Sequence, residues 1–232
     1  MADALAELAE RYVGGRDGLP DAIARALREA IFDGVFAPNE RLHQDDIAQR
    51  FGVSRVPVRE ALARLVTEGL AVQRFNKGIR VAPLSRADFQ DIMEMRLLLE
   101  PHALRLSAPH LRTRDYDDAE EILAQVRPSE LGAEAAVLHW MFHNRLYSRS
   151  GRPRLLAQIS SLQVAINRYV LPVWRVVGLS ADWDDSHREI VDALRAGDVE
   201  QAARMTGDQI EQAMRRMLDQ LPASVAMEDE LE

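Results

Sequence analysis

Cysteine is absent from the 232 residues, and lysine occurs once, at Lys77, among 29 basic side chains. Without cysteine there is no disulfide framework, no thiolate metal ligand and no thiol nucleophile. No apolar run approaches the length of a membrane span. The start MADALAELAERYVGG is acidic and alternates small and apolar residues, so it is not a signal peptide. Together these absences predict a soluble cytoplasmic protein with no membrane partner. Histidine is scarce as well, with six in all: His43, His102, His110, His139, His143 and His187.

What is present is an apolar content of 47%, enough for a core, in a chain long enough for two domains. The net charge of −8 argues against a uniformly basic nucleic-acid binder, but the charge is unevenly spread. Residues 1–82 carry 12 basic and 12 acidic side chains, whereas residues 83–232 carry 17 and 25. Within 41–80 the balance is 8 basic to 4 acidic, a local electrostatic footprint.

That basic region contains the run from Asp45 to Arg59, DDIAQRFGVSRVPVR, which continues into EALARLVTEGL. It reads as two short helices around a tight turn. Ile47, Ala48 and Phe51 give the first helix an apolar face, and Gly52 permits the sharp bend after it. Ser54 is placed to cap the second helix, which Val58, Leu62 and Leu65 pin to a core at helical spacing. Arg55 and Arg59 lie one turn apart on another face, where they reach bases or phosphates. Two amphipathic helices around a glycine also occur in many all-α proteins, with such arginines simply solvated. The next segment favours DNA. LAVQRF and GIRVAPL are β-prone runs separated by Asn76, Lys77 and Gly78, which predicts a hairpin with a basic, glycine-containing tip. A helix-turn-helix followed by such a hairpin is a winged helix, with the helix in the major groove and the wing on the backbone or minor groove.

Residues 19–84 resemble the N-terminal domain of GntR-type transcription regulators, through ALREAIFDGVFAP, ERL, FGVSRVPVREAL and EGLAVQRFNKGIRVAPL. The GVSRVPVREAL element is long and specific. The family's usual Pro-Gly is Pro38-Asn39 here, and Asn tolerates the left-handed conformation nearly as well. Gln44-Asp45-Asp46 stand where many members have an acidic residue or a Glu-Arg pair. By this resemblance Ser54, Arg55, Pro57, Arg59, Lys77 and Gly78 are the DNA-binding residues.

Before this domain, residues 1–18 are expected to form a flexible leader, poorly ordered or partly helical; the acidic tail 222–232 is expected to be disordered. The first helix is predicted at about 20–34, ended by Gly34. Ser85 with Asp88 resembles a capping box opening a long helix. Helices are then predicted at about 85–109, 114–127, 132–149, 152–175, 183–196 and 198–221, with breaks at Pro128, Gly151 to Pro153, Gly178 and Ala196 to Asp198. The expected fold is therefore mainly α: a winged helix-turn-helix, then an antiparallel bundle of six to seven helices over 85–221. That second part resembles the effector (FCD) domain of the FadR-type subfamily, through MEMRLLLEPHALRLSA, the helix around His143 and HREIVDALRAGDVEQAA.

His139 and His143 are four apart on one predicted helix and so share a face, the spacing that offers two imidazoles to one metal. Histidine pairs of this kind also occur on surfaces and in satisfied cores. The resemblance bears on the choice, because many members hold a divalent metal with an Asp and a His four apart and one His on each of the last two helices. It places His139 at the Asp position, His143 and His187 at the first two His positions, and Gln209 at the last, with Asp208 beside it. Three imidazoles with a water or a ligand carboxylate suit zinc best, with nickel or manganese as alternatives. Arg96 is expected either to grip an effector carboxylate or to pair with Glu100, four residues on. Asn144, Asn167, Arg168 and Tyr169 are expected to line the same cavity, and Trp140 and Trp174 to belong to the core.

The function implied is a ligand-responsive transcription regulator, a homodimeric repressor on a palindromic operator, released by a small organic acid. Dimerisation is expected because one small winged helix makes too few contacts for specificity. Two alternatives remain. One is a metal-dependent hydrolase with a regulatory winged helix, using Asp184 or Asp185 as base. The other is a metal-free regulator of a larger ligand such as an acyl-CoA.

Overall fold

The computed structural model describes residues 2–12, 18–75, 77–127, 133–177 and 183–221. The expectations for Asn76, the breaks at Pro128 and Gly178, the Trp174 side chain and the tail 222–232 lie outside the described residues. The chain divides into two compact units, Met1–Leu84 and Ser85–Glu232.

The first unit contains α1 (Ala2–Tyr12), α2 (Leu19–Phe32), α3 (Gln44–Phe51), α4 (Arg55–Thr67), β1 (Ala71–Arg74) and β2 (Gly78–Val81). Gly52 ends α3 at φ 62°, in the left-handed region, which sets the angle at which α4 leaves. Its core is built from Ile23, Leu27, Ile47, Leu62, Leu65 and Leu70. The strands pair antiparallel, with Ala71 opposite Val81 and Arg74 opposite Gly78. The segment after Asn39 extends this sheet: Val81 N donates to Glu40 O at 2.8 Å and Leu42 N to Ile79 O at 2.9 Å. Asn39 itself sits at φ 67° and makes the turn.

Residues 2–12 and 18 of the expected leader are described, and there it takes the partly helical form. Within the expected flexible stretch 1–18, α1 is a helix that buries Leu5, Leu8 and Ala9. The i, i+3, i+4 spacing of those three forms an apolar stripe. Glu29 anchors the helix end, accepting from Tyr12 Oη and Arg11 at 2.5 Å each.

The second unit contains α5 (Arg86–Ser107), α6 (Thr113–Leu123), α7 (Ala133–Tyr147), α8 (Pro153–Val177), α9 (Trp183–Arg195) and α10 (Val199–Leu218). Leu104, Leu123, Phe142, Leu146, Ile159, Ile190, Val191 and Leu194 meet in one core cluster. Half of the expected capping box forms. Ser85 Oγ accepts from Asp88 N, but the Asp88 carboxylate turns to the Tyr169 hydroxyl, 2.6 Å away, and to Arg168. Among the described residues no helix is long and apolar enough to cross a membrane.

A buried charge fixes α6 against α7. Asp115 is fully buried and accepts from the backbone N–H of Arg112 at 2.9 Å and from Arg149 at 3.1 and 3.2 Å, and it pairs with Arg145 at 2.8 Å. Burial pushes its carboxyl up, yet Arg149, the Arg112 N–H and the charge of Arg145 outweigh this and hold it below its ordinary value. Asp115→Ala is expected to cost about 2–3 kcal/mol in urea unfolding, less than a fully buried pair, because both guanidiniums keep part of their hydration.

Candidate functional site

Ser54 is extended, exposed and at the start of α4, but its side chain makes no capping bond, contrary to the cap expected of it. Val58, Ala61, Leu62 and Leu65 are buried, which turns the opposite face of α4 outward. Arg55 and Arg59 are exposed and Pro57 half-buried. Arg55, expected to be free for bases or phosphates, is paired instead: its Nε lies 2.5 Å from Asp45 Oδ1 on α3. Both partners are mostly exposed, so the pair contributes roughly 0–1 kcal/mol and yields readily to a phosphate.

Lys77 is exposed at the hairpin tip. Gly78 has φ 79°, and a Cβ there would stand 3.4 Å from Arg41 Nε, so the position favours glycine and sets the Arg41 guanidinium beside the wing. Two apolar residues on this surface escape a charge-based reading. Val56 is 52% exposed beside Arg55, and Phe75 is 91% exposed at the wing. Their available signal is being apolar and out of register with the buried series.

In the second unit, α7 stacks His139, His143 and Tyr147 at i, i+4 and i+8, and α9 brings in His187. The Nε2 atoms of His139 and His187 are 3.0 Å apart, and those of His143 and His139 are 3.1 Å apart. His187 Nδ1 lies 2.5 Å from the Trp183 carbonyl and therefore donates to it, leaving Nε2 as a lone pair. Burial pushes His187 down to about 4. Burial, then the neighbouring imidazoles and Arg96, holds His139 and His143 well below the ordinary histidine value. Neutral imidazoles with nitrogens converging at this distance are a cation's donor set.

The same Trp183 carbonyl orients Gln209. Ser186 Oγ donates to that carbonyl at 2.9 Å, so it accepts from Gln209 Nε2 at 3.2 Å. The amide is thereby held with Oε1 away from Ser186, and that oxygen is buried with no hydrogen-bond partner among the described residues. An orphaned amide oxygen in the cavity of three imidazoles adds a hard donor, and the residues present fit a divalent metal.

The triad faces a cavity of about 460 Å³, which Arg96, Glu100, Gln163, Asn167, Trp183 and Gln209 also line. Arg96 makes the expected pair, its Nε donating to Glu100 Oε1 at 2.7 Å, and it also lines the cavity. Asn167 lines it too, accepting from Gln163 at 3.4 Å. Asn144 does not belong to this wall, because one residue beyond His143 turns a side chain by about 100° on a helix. Arg168 and Tyr169 are likewise turned away, onto Asp88 and Ser85. Trp140 packs against the core, as expected. Asp184 and Asp185 are exposed and off the cavity wall, so neither serves as a base there.

A family model for bacterial regulatory proteins of the gntR family matches residues 19–81, and one for the FCD domain matches residues 91–220. The Nta operon transcriptional regulator of Aminobacter aminovorans is 36% identical over 135 residues, which is 56% of this chain and 63% of that protein, under two thirds of its length. The probable D-xylose utilization operon transcriptional repressor of Paenarthrobacter nicotinovorans is 31% identical over 159 residues, 68% of this chain and 70% of that one. Among solved structures, E. coli McbR/YncC shares the fold with a TM-score of 0.76 at 22% identity, over 88% of this chain and 99% of its own. These similarities are to regulators rather than hydrolases, which removes the enzyme alternative. With a winged helix-turn-helix and an effector-binding bundle, the chain belongs to the GntR family of bacterial transcription regulators, with an FCD domain, and is not an enzyme.

Proposed function

We propose that this chain is a cytoplasmic, homodimeric repressor that binds a palindromic operator and is released by a small carboxylate held at a divalent metal. The observation that carries the effector half is the convergence of three neutral imidazoles on the cavity that Arg96 also lines. His139, His143 and His187 would hold the metal, with zinc preferred to nickel or manganese for a histidine-rich site, and Gln209 Oε1 nearest in kind to a fourth donor. Such a metal supplies a Lewis-acidic position for one carboxylate oxygen. Arg96 would take the other through N–H groups not used on Glu100, and the Gln163 and Asn167 amides would select among its hydroxyls. A volume near 460 Å³ lies in the lower part of the range for small-molecule sites, about 300–1,000 Å³, and so favours a small acid over an acyl-CoA.

On DNA, Arg55 and Arg59 would contact bases or phosphates in the major groove. Ser54 and Pro57 would pack on the backbone at the start of α4, and Lys77 and Gly78 would bring the wing to the next groove. The effector biases the bundle between two arrangements, of which one matches the operator's half-site spacing. Fluorescence anisotropy on the DNA upstream of the gene, at fixed salt, tests this reading. Arg59→Ala is expected to weaken binding by about 1–3 kcal/mol if it reads a guanine. A panel of two- to six-carbon hydroxy and keto acids is expected to contain a member that releases the DNA. Operator affinity unmoved by every acid, with and without zinc, would refute the coupling.

A further inference from the structure

His143 has a second partner, on the side of its ring away from the triad. Its Nδ1 lies 3.3 Å from the hydroxyl of Tyr147, one turn further along α7. That hydroxyl is also 2.9 Å from Glu100 Oε2 on α5. Tyr147 has one proton to give, and the shorter contact to a carboxylate outcompetes the longer one to a neutral nitrogen. Toward His143 the hydroxyl is therefore an acceptor, so Nδ1 carries the hydrogen and Nε2 is left as a lone pair, 3.1 Å from His139 Nε2. Glu100 is fixed in turn by Arg96, whose Nε donates to Oε1 at 2.7 Å. Arg96, Glu100, Tyr147 and His143 are 6%, 1%, 0% and 6% exposed, so bulk water does not compete for these bonds.

We infer that Tyr147 is a positioning residue for the metal: it relays the negative charge of Glu100 to His143, fixes the Nδ1–H tautomer and strengthens Nε2 as a donor. The relay joins an imidazole of the triad to Arg96 on the cavity wall, residues that belong to different helices. Its effect on metal affinity rests on the proposed metal site; its effect on the tautomer does not.

Two measurements on the full chain separate these. In the metal-free wild type, ring ¹⁵N shifts are expected to show His143 as the Nδ1–H tautomer, and Tyr147→Phe, which keeps the buried ring, is expected to abolish that preference. Competition with a chromophoric chelator is expected to show zinc bound about 10–100-fold more weakly by Tyr147→Phe at unchanged helical content. An Nε2–H tautomer in the wild type overturns the inference without any variant. So does a zinc affinity within about twofold of wild type in Tyr147→Phe, the full cost of an outer-partner loss being at least about tenfold. A weakened affinity with an unmoved tautomer also overturns it, because the loss is then one of packing. If the wild type takes up no zinc, the metal reading falls and the tautomer decides the relay alone.

Discussion

Protein purified without chelator is expected to carry about one zinc per chain, and His143→Ala is expected to lose it, with affinity falling by more than about 100-fold, the upper end of what losing a mere outer partner costs. His143 has this leverage because it is buried, its Nε2 lies 3.1 Å from that of His139, and its other nitrogen is occupied by Tyr147. Removing it leaves two imidazoles and at most the weak amide donor of Gln209, short of the three strong protein ligands of an open zinc site. His102→Ala is the control, since His102 is exposed on α5 and outside the triad. Gln209→Leu is expected to have a smaller effect, near tenfold at most, because an amide oxygen is a weaker zinc donor than an imidazole. Elemental analysis together with chelator competition measures all three variants. Wild-type zinc content in His143→Ala would mean that metal is held elsewhere, and no zinc in the wild type would make the triad an ordinary buried histidine cluster.

Local chemistry made much of this legible from residue order. Gly52 at the bend, apolar Val58, Leu62 and Leu65 at helical spacing and the paired β-prone runs each specify an element from within a few residues, and those elements are where the chain forms them. His139 and His143 were legible for the same reason, being four apart on a helix. What was hidden depends on pairing across distance or on small departures in register. Tyr147 meets Glu100 across 47 positions, and Gln209 meets Ser186 across 23, so neither pairing leaves a trace in spacing. Asn144 was misplaced because polarity inside a helix does not say which side of the helix is polar. The α1 stripe of Leu5, Leu8 and Ala9 was overlooked because its acidic, alanine-rich surroundings resemble a solvated leader. Ser54 shows the limit of motif reading: the residue type and backbone suit a cap, but the capping bond is not made.

Acid should destabilise the metal-free effector unit in a window set by the histidines rather than the carboxylates. Burial pushes His187 down to about 4, against an ordinary value of 6.5 in the unfolded chain. Between those values the unfolded state binds the proton and the folded state does not, so stability falls as pH falls, starting near 6.5 and levelling off near 4. Integrated over that window, His187 alone costs about 3 kcal/mol by pH 4. His139 and His143, also held well below 6.5, add to the loss with the same sign. Asp115 loses its contribution only as pH drops below the carboxylate's unfolded value, so its effect falls at more acid pH. Urea unfolding of chelator-treated protein at half-unit steps from pH 7 to pH 4 should therefore show a falling midpoint, and His187→Asn should flatten its slope. Adding zinc should raise the midpoint at pH 7 and steepen its fall, because protons and the metal compete for the same Nε2 lone pairs. A midpoint flat down to pH 5 in the wild type would show that the imidazoles are reached by water and titrate freely, which removes the desolvation on which their neutral state at pH 7 depends.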